Sequence, residues 1–198
     1  MEKLIEEIQK LQKGKISKII EKKFLEFKEA GTKDENSIFN ELCFCLMTAN
    51  FNAKRAIEIQ DKIGNGFSNL SLEDLQKVLK KYGHRFPNAR AGYIFEARTH
   101  KHSLNLKRDW LVDNIKGLGF KESSHFLRNI GFDNYAIIDF HIVDILVDNG
   151  IVKKPKTLNK KNYLLIESKL SMLAKKLNLT LSELDLYLWY METGTILK

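Results

Sequence analysis

The chain has 198 residues, with 33 Lys or Arg against 25 Asp or Glu and a formal charge of +8. An apolar fraction of 43% and only two prolines exclude a disordered tail protein and predict one domain or two closely packed lobes. No apolar run approaches the roughly 20 residues that cross a bilayer. The first residues form an amphipathic pattern and not a signal peptide, so we expect a soluble, cytoplasmic, monomeric protein with no membrane partner.

Apolar residues recur with a helical period of about 3.6 through nearly the whole chain. No segment shows the sustained alternation of a half-buried strand, so the predicted fold class is all-α. Glycines punctuate the pattern at Gly64-Asn65-Gly66 and at Gly117-Leu118-Gly119, and residues 84–88 form a loop before Pro87 starts a helix. The predicted helices lie, in chain order, near 4–11, 16–27, 36–48, 53–63, 71–83, 87–94, 107–116, 121–131, 139–149, 159–177 and 180–192.

Gly117-Leu118-Gly119 predicts a tight hairpin between two helices. Glycines allow positive φ angles and let a backbone approach a ligand without Cβ atoms in the way. Backbone N–H groups at the start of the second helix then face outward, where a phosphate is their natural partner. A single Gly-x-Gly is weak by itself, but it is consistent with a sequence-independent grip on a nucleic-acid backbone.

Lys121 follows the hairpin by two residues and lies in the first turn of the next predicted helix. An ammonium there faces the positive end of the helix dipole, which makes the neutral amine more accessible. A neutral lysine amine is a candidate nucleophile for a carbon centre. The pattern alone leaves a solvated surface lysine as the more common role.

Asp139 ends the apolar run 136–138 and immediately precedes a predicted helix. This position is typical of an N-cap. A carboxylate on a helix N-terminus stays ionised, so it can also stabilise a developing sugar cation or help to deprotonate an amine. The capping and catalytic roles are compatible.

Residues 117–121 followed by residues 137–141 resemble the helix-hairpin-helix DNA glycosylase superfamily. Four segments further resemble the second 8-oxoguanine DNA glycosylase/AP lyase family, found in archaea and some bacteria: 41–50, 83–86, 121–129 and 184–190. The resemblance covers nearly the whole chain and implies a two-lobed helical fold with the active site in the cleft between the lobes. One lobe would be 34–131, with the hairpin at 107–131, and the other 1–33 plus 132–198.

The resemblance also implies roles for individual residues. Lys121 would attack C1′ of the damaged nucleoside with Asp139 as its partner, and the resulting Schiff base would permit β-elimination. Trp189 and Phe86 would stack on the flipped base, and Lys198 would distinguish 8-oxoguanine from guanine through its carboxylate, its ammonium or both. The DNA backbone, or the space that the flipped nucleotide leaves in the duplex, would be contacted by Asn50, His84, Arg85, Gly117, Gly119 and His141. The partner is double-stranded DNA containing 8-oxoguanine.

Two other functions compete with this one. Iron–sulfur relatives that act on oxidised pyrimidines need four cysteines near the C-terminus, whereas this chain has only Cys43 and Cys45, which the helical pattern predicts to be buried thiols. A glycosylase for another damaged base and a non-catalytic helix-hairpin-helix DNA-binding module remain alternatives, and a binding module needs neither Lys121 nor Asp139. No cofactor is required, although the carbonyls of Ile115 and Leu118 could hold a monovalent cation, as in the resembling proteins.

The basic charge is concentrated near the C-terminus. Residues 152–178 carry eight lysines against one acid, Glu167. A clustered basic stretch in a domain of pI near 9.3 is typical of a nucleic-acid binder, although a solvated helix face has the same pattern.

Overall fold

The computed structural model describes all 198 residues and contains twelve α-helices, one short 3₁₀ helix and no strand. This confirms the all-α prediction. No helix combines the length and the apolar character that a membrane crossing requires. The helices are α1 (Glu2–Gln12), α2 (Lys15–Ala30), α3 (Glu35–Thr48), α4 (Ala53–Ile63), α5 (Gly66–Asn69), α6 (Leu72–Lys81), α7 (Pro87–Ala97), α8 (Arg108–Asn114), α9 (Phe120–Asn129), α10 (Phe140–Asp148), α11 (Lys160–Leu177) and α12 (Leu181–Thr193), with the 3₁₀ helix at Arg98–His100.

The chain divides into two compact units that are interleaved in sequence. The middle unit comprises residues 29–130 together with Leu197, and the terminal unit comprises 1–28, 131–196 and 198. The middle unit therefore contains α3 to α9, and the terminal unit contains α1, most of α2, and α10 to α12. The expected boundaries, 34–131 for the middle segment, differ from these by five residues at one end and one at the other.

Helix boundaries follow the local signals in the sequence. Ser71 caps α6 by accepting a hydrogen bond from the Asp74 N–H at 3.1 Å, and Pro87 is the first residue of α7. Both features agree with the prediction. The sequence did not predict α5, because Gly64 and Gly66 indicated only a turn, and it did not predict the 3₁₀ helix at Arg98–His100.

The core of the middle unit is built on α3. Residues 42–47 of this helix are all fully buried, including Cys43 and Cys45. Burial raises the pKa of the Cys43 thiol well above its ordinary value, so this thiol is inert. The prediction of a core helix with two buried thiols is confirmed. Because residues 42–47 are buried on every face of α3, the C-terminal half of this helix offers a rigid base for the loop that follows.

Candidate active site

The hairpin between α8 and α9 is a tight turn in which the two glycines have different roles. Gly117 has φ +94°, and a Cβ there would lie 2.4 Å from Cδ2 of Tyr93. Gly119 has φ −97° and ψ −171°, which any residue adopts. The expectation of left-handed backbone therefore applies to Gly117 only, where both the φ angle and the close approach of Tyr93 exclude a side chain.

The N-terminus of α9 begins at Gly119 without a side-chain cap from that residue. Its backbone N–H donates to Oε2 of Glu122 at 3.3 Å, one turn further along the helix. Lys121 is half-buried in this first turn. The first turn of a helix leaves several N–H groups without an intrahelical partner, so the local potential is positive and suits an anion. The structure thus places Lys121 at an anion-attracting helix end.

A buried polar network fixes α9 against α3, and the sequence analysis did not predict it. The Asn129 amide donates to Oε2 of Glu41 at 3.3 Å, and Oε1 of Glu41 accepts from the Gln60 amide at 3.1 Å. The Arg128 guanidinium donates to Oδ1 of Asn129 at 3.2 and 3.3 Å. Charge-assisted bonds away from water are costly to break, so the helix that carries Lys121 is held rigidly.

Asp139 is the N-cap of α10 in the terminal unit. Its Oδ1 accepts a hydrogen bond from the Ile142 N–H at 3.1 Å, so the capping role is present in the structure. The preceding segment is held by α11, where the Tyr163 hydroxyl accepts from the Ile138 N–H at 3.1 Å and donates to the Ala136 carbonyl at 2.7 Å. Glu167 accepts from the Ala136 N–H at 3.0 Å. The sequence offered no signal for these two supports, because they come from residues more than twenty positions away.

Two further candidates lie on the helices of the terminal unit. His141, in the first turn of α10, is exposed, and its Nδ1 lies 3.6 Å from a carboxylate oxygen of Glu192. Trp189 is half-buried on α12, and its indole N–H has no hydrogen-bond partner although it is shielded from solvent.

The chain end is partly buried. Residues 196–198 are all half-buried, in contrast with the exposed residues 192–195 that precede them. Free chain ends usually fray unless they are tied down. Partial burial therefore distinguishes Lys198 from an ordinary surface terminus.

Four candidate residues of the middle unit lie on two loops that touch one another. Asn50 is exposed after the end of α3, with φ +57°. Phe86 is 38% exposed, and the guanidinium of Arg85 lies 5.0 Å from its ring centroid. His84, in contrast, is only 4% exposed and bonds to the Met47 carbonyl. The structure therefore brings the loop 82–87 onto the C-terminal end of α3, with His84 underneath and Phe86 outside.

Arginines reinforce this junction of two loops. Arg90 donates to the Ala49 carbonyl at 2.7 Å, and Arg55 donates to the Tyr82 carbonyl at 3.2 Å. Each cation satisfies a backbone carbonyl at a helix end, where the dipole is negative. These two arginines are functional candidates that sequence reasoning missed, because neither belongs to the hairpin or the aspartate motif.

The structure also describes the two carbonyls that were expected to hold a monovalent cation. The Ile115 carbonyl accepts a hydrogen bond from the Leu118 N–H at 3.1 Å, and both residues are buried. No cluster of three or more His, Cys, Asp or Glu side chains could hold a metal ion.

Among the eight lysines of 152–178, only Lys169 is half-buried and the rest are exposed, and Lys154 pairs with Asp144 at 2.6 Å.

Comparisons with known proteins agree over nearly the full length. The family model Ogg-HhH, described as 8-oxoguanine DNA glycosylase, matches residues 20–179. Two relatives named 8-oxoguanine DNA glycosylase/AP lyase are those of Methanocaldococcus jannaschii, 47% identical over 98% of this chain and 99% of its own, and of Korarchaeum cryptofilum, 45% identical over 98% of both.

Solved structures give the same result. The Methanocaldococcus jannaschii enzyme in complex with a 15mer DNA containing 8-oxoguanine superimposes with a TM-score of 0.94 at 48% identity, covering 98% of this chain and 99% of that one. The 8-oxoguanine DNA glycosylase of Thermotoga maritima superimposes with a TM-score of 0.94 at 39% identity, covering 100% of this chain and 99% of that one.

Proposed function

Because this chain belongs to the 8-oxoguanine DNA glycosylase family, we propose that it excises 8-oxoguanine from double-stranded DNA and then cleaves the strand at the abasic site. The observation that carries this proposal is the near full-length similarity, at a TM-score of 0.94, to an enzyme solved with DNA containing 8-oxoguanine. The chain also has a lysine in the first turn of α9 and an aspartate at the N-cap of α10, and this chemistry requires an amine nucleophile and a carboxylate.

Lys121 is the proposed nucleophile. Its neutral amine forms a bond to C1′ while the bond from C1′ to the base breaks, and the base leaves with the electron pair and takes up a proton. Opening of the sugar gives a Schiff base between Nζ and C1′. The positive imine acidifies the C2′ proton, whose removal expels the 3′ phosphate, and hydrolysis of the imine then returns the amine. The anion-attracting end of α9 supports a DNA phosphate beside Lys121.

Asp139 is the proposed partner of that lysine. An ionised carboxylate stabilises the positive charge that develops on the sugar as the base leaves, and it can accept a proton from the attacking amine. Its hydrogen bond from the Ile142 N–H fixes the carboxylate at the start of α10. The hydrogen bonds of Tyr163 and Glu167 hold the backbone of residues 136–138, which directly precede Asp139, and thereby fix the position of its carboxylate.

The base pocket and the duplex gap require flat and protruding groups, because a glycosylase must flip its target nucleotide. We assign Phe86 and Trp189 to the flipped base, and Asn50 and Arg85 to the gap opposite it. The exposure of Phe86 and Asn50 supports these roles. His84 is too deeply buried to enter a duplex, so its wedge role is not retained. Backbone contacts come from the hairpin at Gly117 and Gly119 and from His141.

Lys198 is proposed to read N7 of the base, which is an acceptor in guanine and an N–H donor in 8-oxoguanine. Deleting Lys198 moves the terminal carboxylate back by roughly 3.5 Å and removes the ammonium. Excision of 8-oxoguanine should then fall strongly, while cleavage at a preformed abasic site is largely kept. Lys198→Ala keeps a terminal carboxylate and tests the ammonium alone. Equal loss on both substrates would assign the tail to folding or DNA binding instead.

We propose that the protein acts without a cofactor, as a monomer and in the cytoplasm. The chemistry needs no cofactor, and the Ile115 and Leu118 carbonyls are the proposed ligands of a monovalent cation in the hairpin. A monomer working on nucleoid DNA in the cytoplasm suffices, because each chain carries both Lys121 and Asp139. Sedimentation of the protein alone and on a short duplex tests the monomeric state, and two chains per lesion would contradict it.

The test of the function uses duplexes that differ at one base. Base release and strand cleavage are followed on substrates containing 8-oxoguanine, an oxidised pyrimidine, a preformed abasic site or no lesion. We expect release and cleavage with 8-oxoguanine, cleavage alone at the abasic site, and neither on the other two. Preference for the oxidised pyrimidine would favour a glycosylase for another base, and binding without any cleavage would favour a non-catalytic module.

A further inference from the structure

His84 joins the two loops that carry Phe86 and Asn50. Its Nε2 lies 3.0 Å from the carbonyl oxygen of Met47, and its Nδ1 accepts from the Phe86 N–H at 3.0 Å. A carbonyl oxygen only accepts and a backbone N–H only donates. The ring must therefore carry its proton on Nε2 and a lone pair on Nδ1, which is one neutral tautomer.

The surroundings of His84 favour this neutral form. Phe51 packs on the ring with a centroid distance of 4.2 Å and an interplanar angle of 31°. The charged groups that act on the ring are the guanidinium groups of Arg55 on α4 and Arg90 on α7. Burial lowers the pKa of His84, and the two facing arginines lower it further, against the opposing effect of the bond to the Met47 carbonyl.

We propose that His84 is a positioning residue that presents Phe86 and Asn50 to the lesion as one rigid unit, through its two hydrogen bonds. Met47 lies three residues before Asn50, in the last turn of the buried helix α3, and Phe86 is two residues after His84. The imidazole thus connects the base-stacking loop directly to the support of the gap-filling residue. This inference rests on the roles proposed for Phe86 and Asn50 above.

Protonation breaks the arrangement in a defined way. A proton on Nδ1 removes the acceptor of the Phe86 N–H and places a cation beside two guanidinium groups. Because the pKa of His84 in the folded protein lies below the ordinary value of 6.5, the hydrogen bond to Phe86 is intact above that value and breaks as pH falls through the lowered pKa. Base excision should therefore lose rate on the acid side through a group that is neither Lys121 nor Asp139.

The test compares two variants on two substrates. His84→Leu removes both hydrogen bonds, whereas His84→Asn keeps an acceptor where Nδ1 stood and has no titrating group. Single-turnover rates are measured for 8-oxoguanine excision and for cleavage at a preformed abasic site, which needs no base stacking. Both reactions need Lys121, so their ratio reports the step that depends on base stacking. His102→Asn, which changes an exposed histidine paired with Glu35, is the matched control.

We expect His84→Leu to lower the ratio of excision to abasic-site cleavage by about tenfold or more, as small misplacements of positioning groups do. His84→Asn should recover part of that ratio and abolish its fall at acid pH, and the control should resemble wild type. Parallel loss on both substrates, in step with a lower melting temperature, would overturn the proposal as ordinary destabilisation. Persistence of the acid-side fall in His84→Asn would overturn it as well.

A spectroscopic measurement separates this inference from the proposed function. Long-range ¹H–¹⁵N correlation spectra of wild type, with His84 assigned by its absence from His84→Asn, should show a single Nε2–H tautomer. Mixed tautomers would contradict the positioning role even if excision is observed. A wild-type protein that shows the tautomer but releases no 8-oxoguanine would refute the proposed function and leave the loop junction intact.

Discussion

The two helix starts that carry the candidate catalytic residues are built in opposite ways. At α9 the N-cap is Gly119, which has no side chain, and Lys121 lies in the first turn beside amides that suit an external anion. At α10 the carboxylate of Asp139 is itself the cap, through its bond to the Ile142 N–H. At α9 the candidate catalytic residue does not cap the helix, whereas at α10 Asp139 is both the candidate catalytic residue and the cap.

Lys121→Gln should abolish base excision and strand cleavage while leaving stability nearly unchanged, because Lys121 does not cap α9. A half-exposed substitution of this kind shifts the free energy of unfolding by about 0.5 kcal/mol or less. Thermal unfolding and single-turnover assays check the two parts. A large fall in melting temperature would show that Lys121 supports the fold, which would remove the contrast with Asp139.

Asp139→Asn should lower excision by about 10² while stability changes little, because asparagine is as good an N-cap as aspartate. Asp139→Ala removes the cap too, so it should show the same catalytic loss together with about 1 kcal/mol less stability. Single-turnover excision rates and urea unfolding of the two variants measure these effects separately.

Asp34→Ala is the matched control for this pair. Asp34 caps α3 through a 2.8 Å bond from the Ser37 N–H, and it has no proposed role in chemistry. The change should lower the melting temperature and leave the excision rate of the remaining folded protein unchanged. If Asp139→Ala instead resembled this control, with stability lowered and catalysis kept, Asp139 would be only a cap.

The hairpin glycines should differ in their tolerance of alanine. Gly117→Ala places a Cβ at φ +94° and 2.4 Å from Tyr93, so we expect a loss of about 1–3 kcal/mol of stability and weaker DNA binding. Gly119→Ala meets only Oε2 of Glu122 at 3.2 Å with φ −97°, so its effect should be much smaller. Urea unfolding of both variants measures the difference. Equal losses would mean that the hairpin backbone differs from this structure.

The smallest effect is expected from the basic stretch 152–178. Lys161→Gln with Lys175→Gln removes two exposed lysines, and the slope of log K against log salt should fall by about 0.9 for each DNA phosphate that these lysines neutralise. Affinity should fall similarly for damaged and undamaged duplex. Lys62→Gln with Lys80→Gln, on exposed positions of α4 and α6, is the control. An unchanged slope in the first pair would identify the stretch as a solvated surface.

The sequence predicted the elements whose cause is local. Ser71, Pro87 and Asp139 mark helix starts by chemistry that acts within one turn, and each lies where it was expected. Lys121 lies in the first turn of α9, as predicted, for the same reason.

What the sequence could not predict depends on contacts between distant residues. His84 lies among polar residues and reads as a surface group, yet its ring nitrogen is buried against the Met47 carbonyl, 37 residues away. The helical pattern around Tyr163 predicts only a residue packed in a helix, although its hydroxyl bonds to the backbone of Ala136 and Ile138, just before Asp139. Neither role has a local pattern, because a buried hydrogen bond is specified by the fold and not by neighbouring residues.

Borohydride trapping on a duplex with a single 8-oxoguanine tests the central claim most directly, because it reports substrate, nucleophile and mechanism together. Reduction of the Schiff base should leave a covalent protein–DNA adduct with the wild type. Peptide mapping should locate the adduct at Lys121, and Lys121→Gln should bind the duplex without forming it. An adduct of undiminished yield in Lys121→Gln, or one mapped to another lysine, would contradict the account.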